Sequence, residues 1–155
     1  MNQLHFRFAT EQDVDLYYEW ANDVEVRQNS FIQEKISYAN HVSWFNSKLQ
    51  SSVCKFYLFL NSADENIGQI RIDKSNNETL IGISIDKNHR GKGYATEMLL
   101  MACKDYLTKQ PNSIITAYIK KENEASLKSF KSAGFGDLEQ IVINNCKSYC
   151  LKKSS

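Results

Sequence analysis

The alternation of apolar and polar positions along the chain predicts seven strands. Short runs that alternate with period two, or that are apolar throughout, are typical of strands, whereas a period of three to four residues is typical of helices. Polar stretches rich in Asn, Ser and Asp separate the runs and are typical of turns. The predicted strands cover residues 4–8, 54–60, 67–72, 80–85, 113–119, 138–143 and 148–151.

Four helices are predicted in the intervals, and capping residues mark where they begin. Thr10 and Asp13 resemble a capping box in front of the first helix. Ser37 and Asn123 are suited to cap the second and fourth helices, and Gly134 is suited to end the fourth. The third helix has the clearest apolar stripe, formed by Ala95, Met98, Leu99, Ala102, Cys103 and Tyr106.

The elements follow one another in the order βααβββαβαββ, which predicts an α/β (α+β) protein. Residues 22–35 are polar and irregular, and they predict a loop or a short helical turn. The chain has 155 residues and shows neither a repeat nor a linker. We therefore expect a single domain over residues 1–155.

Composition excludes several classes of function. The formal net charge is +1, so the molecule as a whole has no charge that would attract nucleic acid or an anionic membrane. No apolar run approaches the ~20 residues that span a bilayer, and the N-terminus lacks the core of a signal peptide. The four cysteines form no Cys-x-x-Cys pair, so we expect free thiols, no metal and a cytoplasmic protein.

The segment Asp86–Glu97 predicts an anion site, because it lies between a strand and the clearest helix. Gly91 and Gly93 allow successive backbone N–H groups to converge, and a helix N-terminus adds partial positive charge. The ATP-binding pattern Gly-x-x-x-x-Gly-Lys-Ser/Thr does not occur in the sequence. The dinucleotide pattern Gly-x-Gly-x-x-Gly fails as well, because Thr96 occupies its third glycine position.

Two motifs resemble the GNAT superfamily of N-acetyltransferases. The sequence Arg90-Gly-Lys-Gly-Tyr-Ala95 fits its Arg/Gln-x-x-Gly-x-Gly/Ala signature, and the segment from Asn123 to Phe135 is similar to its Asn-x-x-Ala/Ser-x-x-x-Tyr-x-x-x-Gly-Phe segment. The resemblance spans essentially the whole chain. It implies a twisted, mixed but mostly antiparallel sheet of six to seven strands, flanked by about four helices. It also implies acetyl-CoA as co-substrate.

The same resemblance implies which residues bind the cofactor. The glycine loop would hold the pyrophosphate through Arg90, Gly91, Lys92, Gly93, Tyr94, Ala95 and Thr96. The strand ending at Ile85 would separate from the strand of residues 113–119, and pantetheine would pair with the backbone of Ile83, Ser84 and Ile85. Further contacts are implied for Asn123, Ser126, Phe130 and Lys131. Lys128 and Lys131 are candidates for the adenosine phosphates, although exposed helix lysines are more often solvated.

The chain departs from the family where proton transfer is concerned. The superfamily often has tyrosine at position 130 to protonate the leaving thiolate, whereas this chain has Phe130. Ile83 would supply a backbone N–H to the thioester carbonyl. Tyr118 and Ser126 are candidate acids. Glu78 and Asp86 are candidate bases, with turn or loop residues as the alternative interpretation.

Residues 19–45 resemble a segment of bacterial nucleotide-linked amino-sugar N-acetyltransferases of the pseudaminic acid pathway type. The shared pattern is Trp-x-Asn-Asp, Val-Arg, Ser, Ile and His-x-x-Trp-Phe. It implies that Asn22, Arg27, Ser30 and His41 bind the acceptor, with Arg27 suited to a phosphate. The alternatives are a turn cap for Asn22, a local ion pair for Arg27 and a core position for His41, which could also be a base.

Three functions remain open at this level. The first is acetylation of a small amine, above all a nucleotide-linked amino sugar. The second is acetylation of a protein N-terminus, as in ribosomal-protein acetyltransferases, which share the string Gly-Lys-Gly-Tyr-Ala-Thr-Glu. The third is an acyl-CoA-binding sensor without catalysis. We expect a small-molecule amine acceptor as partner, no nucleic acid or membrane partner, and a monomer or homodimer.

Overall fold

Seven strands form one sheet in the spatial order β1-β2-β3-β4-β5-β7-β6. A computed structural model describes residues 3–155, so the first two residues of the predicted domain 1–155 lie outside the described residues. All neighbouring strands are antiparallel except β4 and β5, which are parallel. The strands are β1 His5–Phe8, β2 Cys54–Leu60, β3 Asn66–Ser75, β4 Glu78–Ile85, β5 Ile115–Lys120, β6 Gly136–Ile143 and β7 Cys146–Lys153.

Five α-helices flank the sheet, one more than the pattern predicts. The additional helix is short and lies within residues 22–35, where a loop or a helical turn is expected. It forms because the Asp23 carboxylate accepts hydrogen bonds from the N–H groups of Glu25 and Val26, at 3.0 and 3.2 Å. The helices are α1 Val14–Ala21, α2 Val24–Gln28, α3 Tyr38–Gln50, α4 Tyr94–Lys109 and α5 Glu124–Ser132.

Two Asn-Asn pairs turn the chain between antiparallel strands. Asn76 and Asn77 have φ of 50° and 67°, and Asn144 and Asn145 have φ of 48° and 63°. Two consecutive left-handed residues form the tight hairpin turn whose twist matches the strands, and asparagine tolerates that conformation. Because the turns are this short, β3, β4 and β7 extend further toward them than the hydrophobic pattern predicts, whereas β6 ends at Ile143 as predicted.

The two faces of the sheet carry separate cores. Alternate residues of β2 belong to different clusters, Tyr57 and Phe59 to one and Phe56 and Leu58 to the other. Since successive strand residues point to opposite faces, the clusters lie on opposite sides of the sheet. We call the side covered by α4 and α5 the α4 face, and the side covered by α1 and α3 the α1/α3 face.

The parallel pairing between β4 and β5 ends almost as soon as it begins. Only Thr79 with Ile115 and Leu80 with Thr116 are in register. From Ile81 onward β4 continues along β3 without β5 at its other edge. We call the space between the separated strands the cleft. The strand directions confirm the mixed, mostly antiparallel GNAT-type sheet that the resemblance implies.

Gly68 is required by close packing between β3 and β4. A Cβ added there would lie 2.4 Å from the Ser84 carbonyl oxygen, and backbone cannot move as a side chain can. We expect Gly68→Ala to lower the free energy of unfolding by about 2–3 kcal/mol in urea denaturation. Gly82→Ala is the matched control, since its Cβ would meet only the Arg71 guanidinium, at 4.0 Å. Equal effects of the two substitutions would contradict this packing.

Candidate functional site

The edge of β4 that faces the cleft carries the peptide groups of alternate residues. The N–H of Asp86 donates to the carbonyl of Ile67 on β3 at 2.8 Å. In an antiparallel pair, residues alternate between those that bond to the partner and those that face away from it. The alternation directs the N–H and C=O groups of Ile81, Ile83 and Ile85 toward the cleft.

The three positions predicted to pair with pantetheine differ in geometry. The Ile85 carbonyl accepts a hydrogen bond from Nε of Arg90 at 3.1 Å. The peptide groups of Ser84 face β3 by the same alternation, and its hydroxyl accepts from the Gln69 side chain at 3.0 Å. Ile83 is the position of the three that directs its peptide groups to the middle of the cleft.

The glycine loop ends at an uncapped helix. Gly91 and Gly93 have φ of 73° and 80°, in the left-handed region that favours glycine. Gly93 is the N-cap residue of α4 and has no side chain that could accept from the N–H groups of the first turn, where Ala95 and Thr96 lie. Lys92 is exposed beside them. This geometry fits the predicted phosphate site.

Arg90 makes internal ion pairs instead of pointing into solvent. Its guanidinium lies 2.7 Å from the Asp23 carboxylate and 2.6 Å from the Glu25 carboxylate, at the N-terminal end of α2. Partial burial acts against ionisation, yet the Arg90 hydrogen bond holds the pKa of Asp23 below its ordinary value. A second hydrogen bond joins α1 to the start of the same segment, since the Trp20 indole donates to Asp86 at 3.1 Å. The carboxylate of Asp86, a candidate base, therefore already accepts hydrogen bonds from Trp20 and from the Asn88 N–H.

The other end of α2 is tied to β5. Lys120, the last residue of β5, is 2% exposed, and its ammonium donates to the Gln28 carbonyl at 3.0 Å. Gln28 is the last residue of α2. The helix is therefore held by Arg90 from the segment after β4 and by Lys120 from the end of β5. We call this arrangement the α2 crossbar, because it joins the two strands that border the cleft.

The second family motif lies at the start of α5 and in the α4-face core. The Asn123 side chain accepts from the Ser126 N–H at 3.3 Å and so caps the helix. Phe130 is buried edge-on against Phe135, with ring centroids 5.0 Å apart. Ser126 is half-buried and Lys131 is exposed. Phe130 provides packing here but no proton.

Two candidate catalytic residues meet on the α1/α3 face. The Tyr118 hydroxyl donates to the Glu78 carboxylate at 2.6 Å. That hydrogen bond is the main cause that raises the pKa of Tyr118 well above its ordinary value, so the phenol stays protonated at neutral pH. If the β4–β5 register continued past Leu80, Tyr118 would stand opposite Gly82. The pair therefore borders the cleft.

The residues predicted to bind the acceptor hold a loop instead. The Asn22 side chain exchanges two hydrogen bonds with the backbone of Ile36, at 2.9 and 2.8 Å. The Arg27 guanidinium donates to Ile32 O at 2.9 Å and to Ser30 Oγ at 3.1 Å, and it also bonds Ala21 O at 2.7 Å. Their polar groups are used to fold residues 29–37. The Arg27 guanidinium is therefore already bonded within the chain and is not available for the phosphate that the sequence predicts.

His41 lies in the core and not at the cleft. It is 2% exposed, stacks on Phe45 at 5.7 Å, and its Nε2 is 2.9 Å from the Val14 carbonyl. A carbonyl can only accept, so Nε2 carries the proton. Burial lowers the pKa of His41 below its ordinary value. The core interpretation of this histidine fits the structure, and a role as base or acceptor ligand does not.

A row of polar side chains on β3 was not predicted from the sequence. Gln69, Arg71 and Asp73 alternate with the buried residues of the same strand and point to the α1/α3 face. The Arg71 guanidinium lies 5.2 Å from the centre of the Trp44 ring. The signal was present in the string Gly-Gln-Ile-Arg-Ile-Asp, where polar residues occupy every second position.

Two negative findings apply to residues 3–155. Within them, no group of three or more His, Cys, Asp or Glu side chains has an arrangement that could hold a metal ion. None of the helices described there combines the length and the apolar character needed to cross a membrane.

Protonation of His41 should destabilise the fold. Because its pKa is lowered in the folded state, the neutral form is favoured, and this contribution is present above the unfolded pKa of ~6.5 and lost as pH falls through the folded pKa. We expect the free energy of unfolding to fall more steeply from pH 7 to pH 5 in the wild type than in His41→Gln. Asn46→Gln, at an exposed position on the same helix, is the control and should keep the wild-type slope because it changes no ionisable group. Parallel slopes for the wild type and His41→Gln would contradict the assignment.

Comparisons with known proteins agree with this architecture. Residues 3–136 match the family model described as the acetyltransferase (GNAT) domain. A spermidine N-acetyltransferase from Vibrio cholerae, solved with CoA and spermine, superposes with a TM-score of 0.87 at 18% identity, covering 97% of this chain and 95% of its own. The aminoglycoside acetyltransferase AAC(6')-Ib, solved with coenzyme A, gives a TM-score of 0.79 at 17% identity, with 98% and 95% covered.

A relative from Bacillus licheniformis, described as uncharacterized N-acetyltransferase p20, is 26% identical over 145 residues, which is 86% of this chain and 79% of that protein. None of these proteins supports the resemblance to the pseudaminic acid pathway type. The family match, which covers most of the chain, establishes the coarser assignment. The chain belongs to the GNAT acetyltransferase family and is an acetyl-CoA-dependent N-acetyltransferase.

Proposed function

We propose that this enzyme acetylates the amine of a small acceptor by direct attack on the thioester of acetyl-CoA bound in the cleft. The cleft offers a free strand edge at Ile83, with the uncapped N-terminus of α4 at its end. An extended pantetheine arm pairs with such an edge as an added strand would. The loop from Gly91 to Thr96 then receives the pyrophosphate on its N–H groups, with Lys92 beside it.

Most of the remaining residues predicted to bind the cofactor have structural roles in this proposal. Arg90 shapes the loop through Asp23 and Glu25 rather than contacting phosphate in the arrangement described. Asn123 and Ser126 form the start of α5, and Phe130 forms the wall behind it. Lys131 is exposed and free to approach the adenosine phosphates.

The chemistry follows from the cleft edge and the tyrosine-carboxylate pair. The acceptor nitrogen attacks the carbonyl carbon, and the Ile83 N–H stabilises the negative charge that develops on the carbonyl oxygen. The carbon–sulfur bond breaks, and the thiolate takes a proton from Tyr118. Glu78 receives the proton that the amine loses and returns it to the Tyr118 phenolate along their hydrogen bond, which restores both groups. The products are the acetamide and the CoA thiol.

The observation that carries this proposal is the 2.6 Å hydrogen bond between Tyr118 and Glu78 at the border of the cleft. It joins a phenol that stays protonated to a carboxylate that can accept a proton. Phe130 cannot act as the acid, because it has no hydroxyl. Ser126 lies on α5, whose residues pack on the α4 face, away from this pair.

A small acceptor fits the α1/α3 face, where polar side chains of β3, β4 and β5 line the cleft border. A nucleotide-linked amino sugar remains our specific prediction for it, although Asn22, Arg27 and Ser30 are engaged elsewhere and His41 is buried. One Vibrio cholerae relative is described as a dodecamer. For this chain, a monomer or homodimer in the cytoplasm remains a prediction, as does the absence of nucleic-acid and membrane partners.

Replacing the proposed acid should slow chemistry without weakening cofactor binding. We expect Tyr118→Phe to lower kcat about 10²- to 10⁴-fold while the Kd for CoA stays within about twofold. Tyr57→Phe is the matched control, because Tyr57 also donates to a carboxylate, Asp105, at 2.8 Å, but inside the α4-face core. Release of the CoA thiol from acetyl-CoA measures kcat, and isothermal calorimetry measures CoA binding. An unchanged kcat in Tyr118→Phe would remove the tyrosine from the mechanism.

The glycine loop can be tested through CoA affinity alone. A β-branched residue at position 93 would have to adopt the left-handed conformation of Gly93, which it tolerates poorly. Its side chain would also lie where the pyrophosphate is proposed to bind. We expect Gly93→Val to weaken CoA binding at least about 100-fold. Gly136→Ala is the control, since its Cβ would meet nothing within 4 Å and its φ is not positive. Unchanged CoA affinity in folded Gly93→Val would contradict the assignment.

The acceptor class can be separated by one panel of amines. Turnover on small amines and none on peptides supports the proposal, whereas the reverse result would favour a protein N-terminal acetyltransferase. CoA binding with no thiol release on any amine or peptide would instead indicate a sensor.

A further inference from the structure

Arg71 is a partly buried cation without an internal partner. Among residues 3–155, no hydrogen bond or ion pair joins its guanidinium to another group, and its Nε is buried without a hydrogen-bond partner. The guanidinium lies over the face of Trp44, 5.2 Å from the ring centroid. Because a buried charge is costly unless it is paired, an unpaired guanidinium in a cleft indicates a ligand that is not part of the chain.

The carboxylates on the same face of the sheet are already engaged. Asp73, two residues along β3, pairs with Lys48 at 2.5 Å. Glu78 accepts from Tyr118. Neither carboxylate is bonded to Arg71, so the positive charge of its guanidinium has no paired anion among the described residues.

The position of Arg71 relates it to the reaction. Arg71 is in register with Gly82 on β4, and its Nη2 lies 4.0 Å from the place that a Cβ of Gly82 would occupy. The missing side chain lets the guanidinium reach over β4. The next residue is Ile83, whose N–H faces the cleft. An anion on Arg71 would therefore lie beside the thioester and across from Tyr118.

Two neighbouring groups complete a binding surface. The Gln69 side chain bonds the Ser84 hydroxyl with one end of its amide, while its Oε1 is buried without a partner among the described residues. Trp44 is 37% exposed and forms a flat wall behind the guanidinium. The surface thus offers a forked donor, a second polar group and an aromatic plane.

We propose that Arg71 is an oxyanion subsite for the acceptor, so that the preferred acceptor is an amine that also carries a carboxylate or a phosphate. The inference rests on the proposed function and specifies its substrate class. A guanidinium fork binds either anion through two parallel hydrogen bonds. A nucleotide-linked amino sugar would meet this requirement through its phosphate, whereas a cationic polyamine would not.

Matched amine pairs test the subsite, with kcat/KM measured by thiol release. The pairs are glucosamine 6-phosphate with glucosamine, phosphoethanolamine with ethanolamine, and glycine with glycinamide, so that phosphate and carboxylate are compared separately. We expect the wild type to favour the anionic member of at least one pair by about 10- to 100-fold. Arg71→Gln should abolish that preference, and Arg71→Lys should keep part of it, because lysine retains the charge but not the fork.

Lys74→Gln is the matched control, since it removes the same charge from an exposed position on β3 and should leave the preference unchanged. Urea denaturation verifies that each variant is folded, and Arg71→Lys carries the test if Arg71→Gln is not. A wild type that shows no preference for any anionic member, or a preference that survives in both Arg71 variants, would overturn the proposal.

Binding can be followed without turnover, which separates the subsite from the proposed function. In CoA-saturated protein, titration with inorganic phosphate or acetate should shift the Arg71 Nε–H resonance saturably, and Lys74→Gln should show the same shift. A saturable shift without acetyl transfer on any amine supports the subsite and contradicts the proposed function. Acetyl transfer without a shift from either anion overturns the subsite and leaves the proposed function intact.

Discussion

Parallel strands normally stay hydrogen-bonded along their shared length, yet β4 and β5 separate after Leu80 and Thr116. The separation leaves peptide groups of β4 without a partner strand, and a buried backbone group without a partner is costly. The fold therefore contains an edge in the middle of its sheet that an extended ligand can complete. The other proposed functional groups, namely the glycine loop, the Tyr118–Glu78 pair and Arg71, all lie around that edge.

The two faces of the sheet have different proposed roles, one in binding the donor and one in binding the acceptor. The α4 face contains most of the apolar core, and its principal helix follows the N-cap Gly93, where the phosphates are proposed to bind. The α1/α3 face carries Tyr118 with Glu78 and, across the cleft, Arg71. In the proposed arrangement acetyl-CoA fills the cleft from the side of the α4 N-terminus, and the acceptor amine approaches its thioester from the α1/α3 face. The proposed direct transfer requires such an arrangement, because both substrates would have to be bound at the same time.

The sequence predicted the fold closely, including the glycine turn and the helix that follows it, because these features depend on local patterns. The binding role of that loop remains a prediction. Glycines at 91 and 93, the apolar stripe of α4 and the asparagine turns each act through neighbouring residues. The acceptor side was predicted poorly, because its groups depend on contacts far apart in the chain. Arg27 fits a phosphate by residue type, but Ile32 and Ser30 occupy its guanidinium. Arg71 gave no motif, and its significance comes from the lack of a partner, which only the folded arrangement can show.

The α2 crossbar has a further consequence. Its N-terminal end depends on Arg90, which belongs to the loop proposed to receive the pyrophosphate, and its C-terminal end depends on Lys120. A phosphate that drew Arg90 away from Asp23 and Glu25 would weaken one of these two attachments. Occupancy of the loop and the order of α2 would then be thermodynamically linked. Because such linkage is reciprocal, a ligand that fixed α2 would change the affinity for CoA by the same factor.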